Sequence, residues 1–473
     1  MATRVQNGSS STSVLEVELE PVYLSTPLPK QDGVDVQARG PSRRTSSNDG
    51  DTTPRQDTSS LPPPSTTTDV VQRWNYPRKN IPRVASCFWS FVVMGANDAA
   101  YGPLIPYIQA HYDLTYLIVS LIFLSPFVGY TAAAFLNNII HLKAGQRGVA
   151  FISSGCHLLA YIIIAVHPPY PVLVITFIIA GFGNGIADAA WNAWIGNMAH
   201  ANEMLGFLHG LYGVGAVLSP LIATTMITKG NLPWYAFYYL MIGIAGLEVV
   251  ASASCFWKAT GSEYRESLTK HSESSQGSLK EALFKQPAAR VTWLCSLFLL
   301  GYVGLEVSLG GWIVEFMIQV RNGEPFASGM TATGFWLGLT IGRVILGFVT
   351  PRVGEKRAIM IYLPITMGLE LLFWLVPQFY VSAVAVGLQG FFIGPLFPAA
   401  IVAVSKLLPR HLHVGAIGFA AAFGGSGAAI LPFAVGAIAQ AKGVEVLQPI
   451  ILAFLGAIFL LWLGLPAMDK KKE

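Results

Sequence analysis

The stretch VASCFWSFVVMGANDAAYGPLIPYI at residues 84–108 decides the fold class. As an α-helix rising 1.5 Å per residue, it is long enough to cross the hydrocarbon core of a bilayer, about 30 Å thick. Its only charged residue is Asp98, next to Asn97 near the middle. An apolar stretch of this length predicts a transmembrane helix, and a carboxyl group at its centre needs a specific reason to be there.

The composition extends this interpretation to most of the chain. Of the 473 residues, 53% are hydrophobic and 12% are charged, whereas a soluble domain has about a quarter of its residues charged. The charged residues are concentrated in 1–83, 258–290 and 469–473. We therefore predict an all-α polytopic membrane protein, and the composition argues against an ordinary soluble enzyme.

Twelve apolar segments have roughly the length that spans a membrane. They lie at 84–108, 116–136, 149–166, 172–196, 206–228, 234–257, 291–318, 328–349, 358–376, 380–408, 414–440 and 446–465. The polar loop 258–290 divides them six and six, which predicts two six-helix bundles related by duplication.

The remaining segments complete the predicted domain organisation. Residues 1–83 are rich in Ser, Thr and Pro, as in SSLPPPSTTT, and contain no sustained apolar run, which predicts a disordered tail. The six-helix bundles then occupy 84–257 and 291–465, joined by the central loop 258–290. A short tail at 466–473 closes the chain.

Basic residues predict the orientation, because Lys and Arg in short loops stay on the cytoplasmic side. The even-numbered connections carry thirteen: Lys143, Arg147, Lys258, Arg265, Lys270, Lys280, Lys285, Arg290, Arg352, Lys356, Arg357, Lys406 and Arg410. The odd-numbered connections carry three: Lys229, Arg321 and Lys442. Both tails and the central loop are therefore expected in the cytoplasm.

Several functional classes receive no support from the sequence. The net charge of +4 comes from basic residues beside apolar segments, so no nucleic-acid partner is expected. The four cysteines form no CxxC pair, and neither a metal site nor a cofactor is predicted. No GxxxxGK[ST] motif indicates an ATP-driven pump, and no nucleophile and base appear together at the spacing of an enzyme active site.

Two carboxyl groups near mid-membrane, Asp98 and Asp188, are the candidate proton-coupling groups. Ionised side chains at this depth are costly and usually functional, and they can bind and release protons as hydration changes. The alternative is a structural hydrogen bond or ion pair. Asn97 adjoins Asp98, and Asn192 lies one helical turn after Asp188 on the same face.

Aromatic and polar residues near these carboxyl groups are the candidate substrate-binding groups. Trp191 and Trp194 flank the face of Asp188, and aromatic walls beside amides suit a polyhydroxylated ring. Packing at a helix interface explains them equally well. The full predicted set is Asn97, Asn192, Trp191, Trp194, Glu306, Trp312, Gln389 and His209.

Other polar residues within the spans are expected to have partners. Arg343 is predicted to pair with a carboxylate or to bind backbone carbonyls near an inner gate, and Glu248 and Glu370 to be ion-pair or amide partners. Glu315 lies near a span end, where we expect contact with water. His209, besides being a binding candidate, resembles a lone core histidine, and His157 resembles one more closely.

The two halves share one local motif. The connection after the second span reads LKAGQRGVA from Leu142, and the connection after the eighth reads PRVGEKRAI from Pro351. These loops supply the predicted gating residues, together with Arg343 in the span before the second loop. The predicted gating residues are Lys143, Arg147, Arg343, Arg352, Lys356 and Arg357.

These features together resemble the major facilitator superfamily, over about residues 84–465. Within it, the sequence is similar to the fucose:proton symporter group and related fungal members. The motifs are GANDAAYGPLIPYIQAHYDLT from Gly95, GFGNGIADAAWNAW from Gly181, YVGLEVSLGGWIVEF from Tyr302 and LTIGRVILGFVTPRVGEKR from Leu339. The resemblance implies proton coupling and sugar binding for Asp98 and Asp188, and a cavity-facing Glu306.

The sequence also departs from that group. The acidic member of the basic loop motif is missing, with His141 and Thr350 or Pro351 near its place. Span 4 carries Asp188 where the bacterial sugar symporter has Glu, and span 5 has His209 where that symporter has an amide. Fucose specificity is therefore not expected to transfer.

The leading hypothesis is a proton-coupled secondary transporter of a small polar organic solute, with a sugar favoured, and not an enzyme. One alternative is a proton-driven exporter of drugs or secondary metabolites, and another is a non-transporting receptor or scaffold. The expected partners are the solute, protons and the lipid bilayer, with a monomer as the functional unit. The plasma membrane is the default location, with a vacuolar or Golgi membrane as the alternative.

Overall fold

Long apolar helices make up most of the chain. A computed structural model describes residues 72–269 and 275–468, and the predictions for 1–71 and 469–473 lie outside the described residues. The α-helices described are α1 (Asn80–Tyr112), α2 (Tyr116–Val119), α3 (Leu121–Ala165), α4 (Tyr170–Gly196), α5 (Ala201–Thr228), α6 (Ala236–Phe256), α7 (Gly261–Thr269), α8 (Ser275–Phe284), α9 (Ala288–Gln319), α10 (Pro325–Val353), α11 (Glu355–Leu375), α12 (Phe379–Ile393), α13 (Leu396–Leu407), α14 (His413–Gly425), α15 (Gly427–Lys442) and α16 (Leu447–Leu463).

The helices are consistent with the twelve predicted membrane crossings. Among the described residues, ten helical stretches are long and apolar enough to cross a membrane. One of them, Tyr116–Ala165, reverses direction at Gly145 and so crosses twice. The backbone of Gly145 has φ 67°, a left-handed conformation that glycine adopts without steric cost. Helix α1, with 33 residues, supplies the remaining crossing.

Two crossings are interrupted within their length. The tenth consists of α12 and α13, which meet at Gly394 and Pro395, and the eleventh consists of α14 and α15, which meet at Ser426. Proline lacks a backbone N–H and cannot continue the regular helical hydrogen bonding. Pro395 therefore ends the helical hydrogen bonding of α12, and the tenth crossing is divided there.

The start of the first crossing and the central loop differ from the sequence-based expectation. Helix α1 begins at Asn80 and not at residue 84, and the Asn80 side chain donates a hydrogen bond to the Arg73 carbonyl, 2.9 Å away. The Ala199 N–H donates to the Gln72 carbonyl at 2.8 Å, so the segment before α1 is tied to the loop after α4. The central loop contains α7 and α8.

Helices α1–α6 form the N-half and α9–α16 form the C-half. Because successive crossings alternate in direction, α1 begins and α16 ends at the same side of the molecule, which we call the terminal face. The other side is the opposite face. Within the N-half, α4 packs closely on α3, and a Cβ added to Gly181 would lie 2.2 Å from the Pro126 carbonyl oxygen. Glycine here permits close helix approach.

The two halves meet in a tightly packed region between mid-membrane and the opposite face. Backbones cross there without intervening side chains: a Cβ on Gly102 of α1 would lie 2.2 Å from the Gly310 carbonyl oxygen of α9. The contributing residues, which we call the sealed layer, are Gly102, Tyr116, Ser120, Phe123, Gly310, Gly311, Trp312, Glu315 and Gly436.

The sealed layer contains a buried carboxyl group that was predicted to be exposed to water. Glu315 was expected to contact water, but it is 2% exposed, so that prediction is wrong. The Tyr116 hydroxyl donates a hydrogen bond to Glu315 Oε1 over 3.1 Å, linking the N-half to the C-half. Helix α9 continues past Glu315 to Gln319, so the Glu315 carboxyl group is still within the packed part of the helix.

Candidate functional site

Asp98 lies at the centre of a hydrogen-bonded cluster built from three helices of the N-half. Its Oδ1 accepts hydrogen bonds from the Asn97 and Asn184 amides, both at 3.0 Å, and its Oδ2 accepts one from the Tyr212 hydroxyl at 3.0 Å. Asn97 also donates to the Tyr101 hydroxyl at 3.0 Å. Three donors to one carboxylate offset much of the cost of placing it at this depth.

Asp188 belongs to a second polar chain, on the terminal-face side of Asp98. Its Oδ1 accepts a hydrogen bond of 2.7 Å from Asn192, one helical turn later, as the spacing predicts. The side-chain oxygen of Asn192, Oδ1, lies 3.1 Å from His209 Nε2 on α5, and His209 is exposed. The carboxylates of Asp98 and Asp188 interact electrostatically. The two predicted proton-coupling groups therefore belong to one site.

Across from this chain, the C-half presents a charged pair. Arg343 on α10 donates to both carboxylate oxygens of Glu306 on α9, at 2.9 and 3.0 Å, and also to the Tyr302 hydroxyl at 3.3 Å. The prediction that Arg343 pairs with a carboxylate is confirmed. Arg343 interacts electrostatically with His209, and Tyr212 interacts with Glu306. Polar groups of the two halves therefore face each other.

These facing groups line a cleft that reaches toward the terminal face. Asp98, Asp188, Asn192 and Tyr212 are half-buried although they lie in the interior of the helix bundles, and Arg343 has 23% of its side chain exposed. The sealed layer closes the cleft on the other side. The arrangement provides carboxylates, amides, an imidazole and a guanidinium group around one water-accessible space.

Three other predicted binding residues are packed in this conformation. Trp191 is 1% exposed and stacks on Phe256, with the ring centroids 4.6 Å apart. Trp312 lies in the sealed layer and donates to the Pro432 carbonyl at 2.9 Å. Gln389 donates to Glu370 at 2.6 Å, and both are fully buried. Trp194 is half-buried, 5.5 Å from the Phe256 ring.

Glu370 and Glu248 have the partners expected of them. Glu370 pairs with an amide, and Glu248 lies 2.9 Å from His157. The prediction of ion-pair or amide partners is confirmed for both. The expectation of a lone core histidine is wrong for both candidates, since His209 contacts Asn192 and His157 pairs with Glu248. The two residues are 91 positions apart on different helices, and spacing in the sequence does not show their contact.

The basic loops occupy the terminal face, each against the last crossing of its own half. The Arg147 N–H donates to the Ala259 carbonyl at 2.9 Å, and its guanidinium group lies 5.9 Å from the Trp257 ring. Lys356 donates to the Leu463 carbonyl at 3.4 Å and to the Leu465 carbonyl. The other predicted gating residues of these loops are exposed: Lys143, Arg352 and Arg357.

The sequence analysis did not select two residues of the Asp98 cluster, Asn184 and Tyr212. Asn184 lies one helical turn before Asp188, so the same helical periodicity that selected Asn192 also selects Asn184. Tyr212 follows His209 by three positions and lies on the same side of α5. Tyrosine is common in membrane helices, and nothing in the spacing distinguishes this one.

Comparison with known proteins places the chain in a family. A sequence profile described as Major Facilitator Superfamily matches residues 87–323 and 308–473, which is most of the chain. The chain belongs to the major facilitator superfamily. It is therefore an integral, multi-pass membrane transporter, as the resemblance implied.

Individual relatives of this superfamily member agree with the assignment. The chain is 32% identical to Bypass of stop codon protein 6 of Saccharomyces cerevisiae over 83% of this chain and 84% of that protein. It is 22% identical to the glucose/mannose transporter GlcP of Bacillus subtilis, over 73% and 85% respectively. The outward conformation of the transporter FucP has the same fold, with a TM-score of 0.57 at 16% identity, over 82% of this chain and all of that one.

The Arg343–Glu306 pair leads to a stability prediction. Glu306→Gln leaves the guanidinium group without a counter-charge in the interior of this transporter, and losing one partner of a buried pair costs about 3 kcal/mol. We expect a lower thermal unfolding midpoint in detergent micelles. The double variant Glu306→Gln/Arg343→Gln should recover part of the loss, because no unpaired charge remains. Strictly additive effects of the two single substitutions would contradict this coupling.

Proposed function

We propose that this transporter is a proton-coupled symporter of a small polar organic solute, with a sugar as the favoured class. The observation that carries the proposal is the cluster around Asp98, a carboxyl group in the interior of the membrane helices and in contact with the cleft. Such a carboxyl group can take up a proton and release it as the hydration around it changes.

Asp188 would act with Asp98, because the two carboxylates interact electrostatically. Protonation of one carboxyl group lowers the repulsion on the other, so their charges are coupled. Asn192 and His209 extend this pair toward the water-accessible part of the cleft. A solute hydroxyl that bonded to Asn192 or His209 would therefore change the surroundings of Asp188 directly.

The chemistry of the cleft supports a solute with many hydroxyl groups. Amides donate and accept hydrogen bonds, carboxylates accept them and a guanidinium group donates them, so together they match the hydroxyl groups of a sugar. Asn97, Asn192, His209, Glu306 and Arg343 supply these groups. Trp194 lies beside them, and Trp191, Trp312 and Gln389 would reach the solute only after the helices move. The relative GlcP is a glucose/mannose transporter, and this favours the same solute class.

Transport would proceed by alternating access between the two halves. The structure is sealed toward the opposite face and open toward the terminal face, which is an inward-facing state if the termini lie in the cytoplasm. Rocking the halves about the site would open the sealed layer and close the cleft at the terminal face. Lys143, Arg147, Arg352, Lys356 and Arg357 would gate that face by binding acceptor groups of the other half and not one another, because all five are positively charged.

Uptake into proteoliposomes tests the proposal. The purified protein is reconstituted, and uptake of hexoses, pentoses and amphipathic drugs is measured with and without an inward proton gradient, in wild type, Asp98→Asn and Asp188→Asn. We expect gradient-driven sugar accumulation in wild type and its loss in both variants. If drugs moved against the proton flow and no sugar was transported, the protein would be an exporter and the proposal would be overturned.

A further inference from the structure

A second buried polar group lies behind Asp98, away from the cleft. His157 of α3 is completely buried, and its Nδ1 lies 2.9 Å from Glu248 Oε2 on α6. The other oxygen of Glu248 accepts a hydrogen bond of 2.6 Å from the Ser90 hydroxyl on α1. Gly183 of α4 leaves room for the imidazole, since a Cβ there would lie 2.8 Å from His157 Cδ2. Three helices therefore hold this ring in place.

Two buried atoms in the neighbourhood of the ring lack partners, and Asn184 directly follows Gly183, the residue packed against His157 Cδ2. His157 Nε2 and the Asn184 side-chain oxygen are both buried and without a hydrogen bond, and the two side chains interact. A neutral ring that donates from Nδ1 to Glu248 presents only a lone pair at Nε2, opposite a carbonyl oxygen. An imidazolium has an N–H at both nitrogens. One added proton would therefore satisfy both atoms at once.

Asn184 also connects this ring to the transport site. Its amide nitrogen donates to Asp98 Oδ1 at 3.0 Å, and its oxygen is buried without a partner. His157 and Asp98 also interact electrostatically. The other titratable groups near the ring are Glu248 and the Tyr161 hydroxyl, whose ring stacks on the imidazole with the centroids 6.1 Å apart. Tyr238 lies beyond Tyr161, with the ring centroids 6.0 Å apart.

We propose that the His157 imidazole is a second proton-binding site, held by Glu248 and coupled to Asp98 through the amide of Asn184. The proton adds at Nε2 and leaves from the same atom, and no other bond changes. A proton on His157 favours the ionised form of Asp98, because opposite charges attract in these low-dielectric surroundings. Its role in transport rests on the proposed function, whereas proton binding itself does not.

The test is a pH titration of the full chain in lipid nanodiscs, followed by ¹⁵N NMR with labelled histidine. The chain has nine histidines, and the one set of signals that is missing in His157→Gln belongs to the His157 ring. We expect it to change between the neutral and doubly protonated forms within the pH range in which the chain stays folded. In Asp98→Asn the midpoint should move to lower pH by about one unit, because a nearby negative charge is gone. A ring that stays in one form, or an unchanged midpoint, would overturn the proposal.

A second variant assigns the ring if His157→Gln does not fold. Glu248→Gln keeps the side-chain shape and should move only the histidine signal that also responds to Asp98→Asn. The matched control is Glu203→Gln, whose carboxylate lies 3.9 Å from His200 on the surface, and it should move the His200 signal alone. If Asp98→Asn still accumulates solute, the proposed function fails, whereas the titration result for His157 stands by itself.

Discussion

Asp98→Asn is expected to abolish solute accumulation driven by a proton gradient while preserving solute exchange across the membrane. The amide cannot take up the proton, but it can replace the carboxylate in the cluster. Its oxygen can accept from Asn97 and Asn184, and its NH₂ group can donate to the Tyr212 hydroxyl oxygen. The variant should therefore fold and bind solute, and only the coupling to protons should be lost.

The size of this effect follows from the gradient. With one proton per solute, an inward gradient of about one pH unit supports about tenfold accumulation. Wild type should approach that ratio in proteoliposomes, and Asp98→Asn should reach only equal concentrations on both sides. The control is Asp113→Asn, the same chemical change at an exposed position after α1, which should accumulate solute normally. Normal accumulation by Asp98→Asn would remove Asp98 from the mechanism.

Gly102→Ala is expected to open the sealed layer. The added Cβ would lie 2.2 Å from the Gly310 carbonyl oxygen, and since both groups are fixed by the backbone, no rotamer change relieves the overlap. Overpacking of this kind costs about 1–3 kcal/mol, which at its upper end reduces the population of the sealed state by about 100-fold. The carrier should then rest with its opposite face open and transport slowly.

Pulsed EPR distances across the opposite face measure this change. Spin labels at Leu232 in the N-half and Gln378 in the C-half, in a background whose native cysteines are replaced by Ala, should move apart in Gly102→Ala. The control is Gly155→Ala on α3, since a Cβ at Gly155 meets no atom within 4 Å. It should reproduce the wild-type distances. Unchanged distances in Gly102→Ala would show that this contact does not hold the face closed.

Much of the fold could be predicted because hydrophobic length alone determines where helices cross a bilayer. Span positions and the six-and-six division both follow from such local signals. The packing of one half on the other does not. Glu315 shows why: its position near a helix end suggested water, but its burial depends on Tyr116 of the other half, which no periodicity indicates.

The candidate site was predictable only where its contacts are local. Asn192 was found because it lies one helical turn from Asp188, and Asn97 because it adjoins Asp98. Tyr212 reaches Asp98 from 114 positions away, and His157 meets Glu248 across 91. Contacts of this kind arise only when the helices assemble, so a single sequence identifies the buried charged groups but not their partners.

Proton movement caused by the solute tests the central claim most directly. Proteoliposomes without any imposed gradient are given a sugar that the uptake panel identifies, and the pH of the weakly buffered medium is recorded. Symport predicts that the medium becomes more alkaline as protons enter with the sugar, and that Asp98→Asn abolishes the signal while exchange continues. Acidification of the medium, or sugar entry without a pH change, would contradict proton-coupled symport.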